Sequence, residues 1–386
     1  MSIDNANSKI RSRDLQDWLP SLVPHRFGVA RLETPFSIAF YDEWLKAGHH
    51  GEMSYLERHR DLKADPSAWK SLTEASAVSA LVFAIDYANS KQNLSKSDYV
   101  TEKTSSLRTA LYTRYAPRSA DYHHKIREEL EPVVAELRRR YPKALFRLAI
   151  DAEPVLERDL ALRAGLGWVG KNTCVIDRNG GSLFFIAEIL TSLETDDVSG
   201  VQQDFCGTCT RCMDACPTGA IAEPRKLNAT KCISYWTIEA KTVAPESLRQ
   251  QFGDWFFGCD ICQTVCPWNG KVYGRKRMEC ETTGPLGLPG SDGYKSNRQH
   301  LFRDLQVILE SSNRELQRRF SGTPFERARG FGLKRNALIV LGNMRPTEFE
   351  SKELKPVVQI LLKDEKLSDL ARKTLAILEE PPRELL

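Results

Sequence analysis

The chain has 386 residues, of which 41% are hydrophobic and 27% are charged, and its formal net charge is +4. These values are typical of a globular protein of two or three domains, and a charge this small does not by itself imply a nucleic-acid partner. No apolar run approaches the roughly 18 residues of a membrane span, and the N-terminus lacks the apolar core of a secretory signal. We therefore expect a monomeric cytoplasmic protein with no membrane contact, in which closely spaced cysteines are metal ligands rather than disulfides.

The first part of the chain predicts an α/β (or α+β) fold with a sheet at its centre. Residues 78–87 and 144–150 are short apolar runs rich in β-forming residues, and both predict core strands. Between them, residues 121–140 carry apolar side chains at helical spacing, which predicts an amphipathic helix packed on the sheet. A third apolar run at 183–190 precedes a polar stretch, and we place a domain boundary near residue 200.

The rest of the chain divides into a cysteine-rich segment and a helical segment. The first ends near residue 285 and is followed by the linker-like stretch TTGPLGLPGSDG. Beyond it, apolar residues recur in at least four short helical patterns, which predicts stacked, HEAT-like helix pairs. The predicted domains are a catalytic domain at 1–200, a ferredoxin-like domain at 201–285 and a helical domain at 286–386.

Eight cysteines form the most specific motif. The spacing C-x2-C-x2-C-x3-C-P from Cys206 matches the bacterial ferredoxin run, in which three thiolates hold one 4Fe-4S cluster and the fourth reaches the other. A second half begins at Cys259 without its leading cysteine, and Cys232 is the available replacement. The crossed pattern assigns Cys206, Cys209, Cys212 and Cys266 to one cluster and Cys216, Cys232, Cys259 and Cys262 to the other.

Structural zinc is the alternative for these cysteines, because zinc sites also use Cys-x2-Cys pairs. Zinc does not require a cysteine triplet followed by x3-Cys-Pro, so the motif favours two iron-sulfur clusters. Cys174 and Cys280 lie outside the pattern and are interpreted as inert thiols.

The segment from residue 151 to 173 supplies candidates for the site that the clusters serve. Gly165, Gly167 and Gly170 satisfy G-x-G-x-x-G, but a helical pattern precedes them. They therefore predict a loop that lets the backbone approach a bulky ligand, rather than a dinucleotide site. Asp151 follows an apolar strand; it is a candidate proton donor with a raised pKa and a candidate cap of the following helix, and the two roles need not exclude each other.

Several longer motifs resemble one family. DAEPVLERDLALRAGLGWVGKNT, FCGTCTRCMDACPTGAI, KCISYWTIE and FGCDICQTVCPWN, with GEMSYLERH near residue 51, together resemble epoxyqueuosine reductase. The likeness covers nearly the whole chain. It implies an oxidoreductase that uses cobalamin and two 4Fe-4S clusters, fed by an external low-potential electron donor, to reduce epoxyqueuosine to queuosine at the wobble position of a tRNA anticodon.

The resemblance also implies roles for individual residues. Asp151 matches the family's presumed proton donor. The implied cobalamin or substrate contacts are Tyr115, Asp121, Tyr122, His123, Gly165, Gly167, Gly170, Lys171, Asn172, Ser234, Tyr235 and Thr237. The last three would lie between a cluster and the corrin. A solvated residue at a helix start is the alternative for His123.

A basic stretch near the C-terminus agrees with a tRNA partner. Residues 314–345 hold eight basic side chains against two acidic ones. Such a patch binds phosphates, although a solvated helix face is the alternative. The candidate tRNA contacts are Arg318, Arg319, Arg327, Arg329, Lys334 and Arg335.

Two other functions compete with this hypothesis. One is a different corrinoid iron-sulfur reductase, similar to reductive dehalogenases, for which the basic helical tail has no evident use. The other is a non-catalytic electron-transfer subunit, which cobalamin content would distinguish from an enzyme.

Overall fold

The computed structural model describes residues 9–66, 78–87, 108–109, 121–151, 153–196, 200–274, 297–344 and 346–380. Tyr115, Cys280 and the linker-like stretch lie outside these ranges. No helix in the described ranges is both long enough and apolar enough to cross a membrane.

The strands that the structure describes form one main sheet and three short pairs. They are β1 (Arg26–Arg31), β2 (Ser79–Asp86), β3 (Arg108–Thr109), β4 (Phe146–Ala149), β5 (Trp168–Val169), β6 (Val175–Ile176), β7 (Phe184–Thr191), β8 (Ile221–Glu223), β9 (Lys226–Leu227) and β10 (Trp255–Phe257). The main sheet has the order β1-β2-β7-β4, and every neighbouring pair is antiparallel. The strands predicted at 78–87 and 144–150 are β2 and β4.

The helices of the described ranges are mostly short. They are α1 (Ser12–Gln16), α2 (Leu19–Leu22), α3 (Ile38–Lys46), α4 (Arg60–Ala64), α5 (Tyr122–Arg140), α6 (Glu157–Arg163), α7 (Arg211–Asp214), α8 (Ile233–Ile238), α9 (Glu246–Arg249), α10 (Ile261–Thr264), α11 (Pro267–Tyr273), α12 (Asn297–Glu310), α13 (Asn313–Arg319), α14 (Arg329–Met344), α15 (Glu348–Ile360) and α16 (Ser368–Glu379).

The main sheet is covered on both faces. On one face α5 buries the apolar side chains that its sequence pattern predicts, which are Ile126, Leu130, Val133, Val134 and Leu137. On the other face α6 packs Leu160 and Ala161 against the small residues of β2. Because apolar layers cover both faces, a charged side chain on a central strand is excluded from solvent.

The cysteine-rich segment and the C-terminal helices share one hydrophobic core. It contains Trp236 of α8 and Phe257 of β10 together with Leu305, Leu338 and Val358 of the helical segment. Helix α14 lies at its centre, and nearly every residue from 330 to 341 is buried. The side chains on the two sides of the predicted domain boundary near residue 285 therefore pack against each other in one core.

Candidate functional site

The motif cysteines occur in two groups of neighbouring thiols. Burial, and then the adjacent thiols of Cys266, Cys206 and Cys209, raise the pKa of Cys212. We call this group the outer set, and its members are Cys206, Cys209, Cys212 and Cys266. It is one of the two ligand sets that the crossed ferredoxin spacing predicts.

The other four cysteines form the inner set, whose members are Cys216, Cys232, Cys259 and Cys262. Burial, and then the nearby thiol of Cys232 and the charges of Asp260 and Cys216, raise the pKa of Cys259 well above its usual value. Burial, and then its neighbours Cys174, Cys259 and Cys232, do the same for Cys262.

The outer set lines a cavity of about 210 Å³. The rings of Phe205 and Trp268 line it and pack with the ring of Trp168, with centroids 5.1 to 5.9 Å apart. Four thiols around an apolar cavity suit a 4Fe-4S cluster, because soft sulfur ligands bind its irons. In the part of the chain described, no three His, Cys, Asp or Glu side chains are grouped tightly enough to hold a single metal ion.

Backbone N–H groups point at the sulfur atoms of the inner set. The N–H of Ala220 donates to Cys216 Sγ at 3.3 Å. Burial raises the pKa of Cys232, whereas N–H groups of Tyr235 and Ser234, in the first turn of α8, donate to its thiol and oppose that shift. Such donors stabilise a thiolate, and around an iron-sulfur cluster they tune its reduction potential.

The side chains of α8 are held mainly by the protein. Tyr235 Oη accepts the N–H of Glu52 at 2.9 Å, and the ring packs against Gly51, whose φ of +61° and lack of a Cβ make room for it. Thr237 Oγ1 donates to Ile233 O at 2.8 Å and accepts from Gly258 N at 2.9 Å. Both side chains are buried and fix α8 in place.

Asp151 follows β4 and has a left-handed backbone with a φ of 54°. Its Oδ2 accepts the hydroxyl of Tyr122 at 2.8 Å and lies 3.2 Å from Arg327 Nη2 and 3.8 Å from His123 Nε2. The carboxyl is 42% exposed, so it is both held and accessible. The alternative role of helix cap is wrong, because α6 begins six residues later with Leu156 as its N-cap.

The start of α5 supplies the partners of Asp151. Asp121 is the N-cap of this helix and accepts the N–H of His123 at 2.9 Å. Burial raises the pKa of Asp121, but the hydrogen bonds from His123 outweigh it and the net pKa is lowered. The Tyr122 ring stacks on Phe185 with centroids 4.4 Å apart. His123 is therefore a bound member of the site and not a solvated helix-start residue.

Arg327 connects this site to the C-terminal half of the chain. Its guanidinium lies 3.2 Å from Asp151 and 3.6 Å from Glu239, the residue that ends α8. Burial raises the pKa of Glu239, with Arg327 opposing the shift, and a side-chain hydrogen bond joins Glu239 to Tyr55. The prediction placed Arg327 on a phosphate-binding face, whereas here it pairs with two carboxyl groups beside the candidate acid.

The glycine-rich loop packs against its own chain. A Cβ on Gly167 would lie 2.2 Å from the carbonyl oxygen of Ile176, and one on Gly170 would lie 2.4 Å from the Ile176 side chain. Gly165 has a φ of +72° where α6 ends. The close approach that Gly167 and Gly170 permit in this structure is therefore to Ile176 of the β5–β6 pair.

The two residues after this loop reach the cysteine loops. Lys171 Nζ donates to the carbonyl oxygens of Gly207 at 2.7 Å and Cys209 at 3.0 Å. Asn172 Nδ2 donates to Cys262 O at 3.3 Å. Both side chains attach the sheet region to the cysteine segment, and neither lies beside Asp151 in these contacts.

The basic stretch contains both exposed and buried side chains. Lys334 and Arg335 are only 8% and 1% exposed. Burial lowers the pKa of Arg335 to about 10, and its Nη1 donates to the carbonyls of Ala240 and Thr242. The prediction that these two residues bind tRNA is corrected accordingly, whereas Arg318, Arg319 and Arg329 are exposed.

Sequence patterns did not indicate two further carboxyl groups near Asp151. Glu188 is in β7, where it is fully buried, and Glu157 begins α6. The available signal was a single charge within the apolar run LFFIAEIL, which is unfavourable unless the group is neutral or paired.

Comparisons with known proteins agree with this architecture. A family model described as a 4Fe-4S double cluster binding domain matches residues 205–269. The epoxyqueuosine reductase of Pseudomonas aeruginosa is 32% identical over 87% of this chain and 86% of its own length. That of Xanthomonas campestris pv. campestris is 34% identical over 84% of each chain.

Solved structures show the same fold. An epoxyqueuosine reductase crystallised with a tRNA-Tyr epoxyqueuosine-modified stem loop has a TM-score of 0.70 and 23% identity, covering 95% of this chain and 98% of its own. The enzyme from Streptococcus thermophilus has a TM-score of 0.68 and 21% identity, covering 95% and 97%.

Proposed function

Because the chain belongs to the epoxyqueuosine reductase family, we propose that it reduces epoxyqueuosine to queuosine in the anticodon of a tRNA. Converting an epoxide to an alkene takes two electrons and two protons and releases the oxygen as water. The protein must therefore bring an electron route and a proton donor to one place.

A single arrangement carries this proposal. Helix α8 begins at the inner-set ligand Cys232 and ends at Glu239, and Arg327 bridges Glu239 to Asp151. Six residues of helix span about 9 Å, so the thiolates and the candidate acid lie at opposite ends of one short element. Electrons and protons can thus reach a substrate bound beside Arg327.

Asp151 is the proton donor in this proposal. The hydroxyl of Tyr122 and the guanidinium of Arg327 hold its carboxyl in a half-exposed position. From there it can protonate the departing epoxide oxygen, which is the step that general acid catalysis assists most.

The cofactors are two 4Fe-4S clusters, held by the outer and inner sets, and a cobalamin. The clusters supply single electrons from an external low-potential donor, and cobalamin when bound supplies a strongly reducing metal centre. The polar groups of Asp121, Tyr122, His123 and Ser234 would hold the corrin, since Tyr122 and His123 adjoin Asp151, Asp121 contacts His123, and Ser234 lies on α8. Residues 1–200 would form the cobalamin domain, 201–285 the ferredoxin-like domain and 286–386 a HEAT-like helical domain.

The tRNA would contact the exposed arginines of the C-terminal helices. Arg318 and Arg319 end α13, and Arg329 begins α14 close in sequence to Arg327. Phosphate contacts by these side chains would make tRNA affinity decrease as salt rises. A splayed anticodon base could then enter the site beside Asp151.

The test is turnover of epoxyqueuosine-containing tRNA by the reconstituted enzyme, measured as queuosine by nucleoside mass spectrometry. We expect Asp151→Asn to reduce kcat by roughly 100-fold or more, because the amide cannot donate a proton to the leaving oxygen. Asp369→Asn, on the exposed face of α16, is the matched control and should leave kcat unchanged. Undiminished turnover by Asp151→Asn would remove its role as acid, and absence of queuosine from the unaltered enzyme would overturn the proposed function.

A further inference from the structure

Exposed basic side chains from three separate elements lie around the outer set. Arg178 is in the turn after β6, Arg211 begins α7, and Lys271 belongs to α11. Arg211 also lines the cavity of the outer set. We call these three exposed side chains the basic rim. The fold thus brings positive charge from distant parts of the sequence to the surface beside one cluster site.

Two members of the basic rim contact aromatic rings that line the cavity. The Arg178 guanidinium lies 5.1 Å from the centre of the Phe205 ring, and Lys271 Nζ lies 5.7 Å from the centre of a ring of Trp268. Both distances suit a cation–π interaction, which holds the charge in place. Because Phe205 and Trp268 also line the cavity, each cation is joined to the cluster site through a single side chain.

The acidic groups nearest in sequence do not neutralise the basic rim. Asp204 pairs with Arg225, and Asp177 pairs with Arg26. Asp214 accepts a hydrogen bond at 2.7 Å from the side chain of the residue that caps α7. Within the described ranges, no ion pair joins a carboxylate to a member of the basic rim. The surface beside the outer set therefore carries an excess of positive charge.

This charge has a use where electrons enter the protein. Four thiolates give an iron-sulfur site a net negative charge, which repels a negatively charged electron carrier. Cations placed around the site offset that repulsion. They also steer an acidic partner toward the surface nearest the cluster and increase its association rate.

We propose that the basic rim is the docking surface for the external electron donor, and that this donor is an acidic protein that carries single electrons. The inference rests on the proposed function and adds the surface and the charges through which electrons arrive. In each encounter one electron leaves the reduced carrier, which is oxidised by one electron, and the outer cluster is reduced by one electron. No covalent bond forms or breaks in this step.

The phosphates of tRNA are another polyanion that a basic surface could bind. The position of the basic rim favours the electron carrier, because the rim adjoins the outer set. The exposed arginines proposed for tRNA lie instead on α13 and α14, close in sequence to Arg327, which contacts Asp151. Binding of tRNA to the basic rim is one of the outcomes that the following experiment distinguishes.

The test compares the holoenzyme with the triple variant Arg178→Gln, Arg211→Gln and Lys271→Gln, using an acidic flavodoxin as the donor. Binding of the oxidised flavodoxin is measured by titration, and electron transfer from its reduced form is measured by stopped-flow absorbance of the flavin semiquinone. We expect both the affinity and the second-order rate to fall by about tenfold or more in the variant. In the unaltered protein both should also decrease as salt rises.

Two controls separate docking from a change in the cluster or in total charge. The triple variant Arg13→Gln, Arg138→Gln and Lys143→Gln removes the same charge from exposed positions elsewhere and should behave like the unaltered protein. Reduced methyl viologen is a small cation that needs no basic surface, so it should reduce the clusters of the rim variant as fast as those of the unaltered protein.

Several results would overturn the docking surface. One is a rate or affinity for flavodoxin in the rim variant equal to that of the control variant, and another is the absence of salt dependence in the unaltered protein. Slower reduction by methyl viologen would show that the cations act on the cluster itself. Weaker binding of the tRNA stem loop, with unchanged flavodoxin binding, would make the surface an RNA contact.

These measurements need no tRNA turnover, so they are independent of the test of the proposed function. A holoenzyme that accepts electrons from flavodoxin through the basic rim but makes no queuosine would retain the docking surface and lose the proposed function. A holoenzyme that makes queuosine with a rim variant as efficient as the control would retain the function and lose the docking surface.

Discussion

The outer and inner cysteine sets differ in their surroundings. The outer set lies on a loop whose residues Gly207, Thr208, Thr210 and Arg211 are exposed. The inner set includes Cys259, two residues after the buried strand β10, and Cys232, which begins α8. One set thus lies near the surface and the other near Asp151. The difference favours a direction for electrons, from an external donor to the outer set and then through the inner set to the site.

The largest effect should come from removing one thiolate of each set. Cys232→Ser should lower turnover roughly a thousandfold or more with any reductant, because a hydroxyl is a poor ligand for an iron-sulfur cluster and this set adjoins the site. Cys206→Ser should be comparably inactive with a protein donor but should recover part of its turnover with a small chemical reductant. Iron content and queuosine formation are the measurements.

Cys174→Ser is the control for both variants, because Cys174 lies beside the ligand thiols but outside the two predicted sets. It should keep its full iron content. Equal loss of turnover in Cys206→Ser and Cys232→Ser with every reductant would mean that the two sets do not have distinct positions in the electron route.

A smaller effect is expected when Arg335, which holds the chain after α8, is replaced. Arg335→Leu removes the donors to the carbonyls of Ala240 and Thr242, which directly follow α8. Leaving the buried carbonyl of Ala240 without a charged partner should lower the free energy of unfolding by about 3 kcal/mol in denaturant titrations of the holoenzyme. Arg319→Leu, on an exposed side chain, should change it by less than about 0.5 kcal/mol. Similar values for the two variants would contradict a structural role for Arg335.

The smallest effect is expected when a side chain that supports the outer set is replaced. Lys171→Met removes two hydrogen bonds to the loop that carries Cys206 and Cys209. About half of the iron should then be released to a chelator roughly tenfold faster, with the other half unchanged, since only one set loses support. Lys226→Met, which removes only a surface pair with Glu223, is the control. Faster release of all the iron would show that the two sets are not held independently.

Sequence reasoning was most informative where spacing alone defines geometry. The ferredoxin spacing of the cysteines predicted the crossed grouping, and the apolar period of residues 121–140 predicted the buried face of α5. β1 was not predicted, because its sequence RFGVAR is short and has a charged residue at each end.

Sequence reasoning failed where the burial or pairing of a side chain depends on which helices and strands pack around it. The charge count around residue 334 does not reveal that α14 is enclosed by other helices, so Lys334 and Arg335 were assigned to the surface. The pairing of Arg327 with Asp151 joins positions 176 residues apart. A local pattern contains no information about such a contact.

The core shared by the cysteine-rich segment and the C-terminal helices has a consequence for cooperativity. Segments that bury their apolar residues against each other unfold together, because neither retains a complete core alone. Loss of the inner cluster would therefore weaken the helices that present the exposed arginines, and tRNA bound to those helices would in turn stabilise the cluster. Metal content and RNA affinity would then be thermodynamically linked through this shared core.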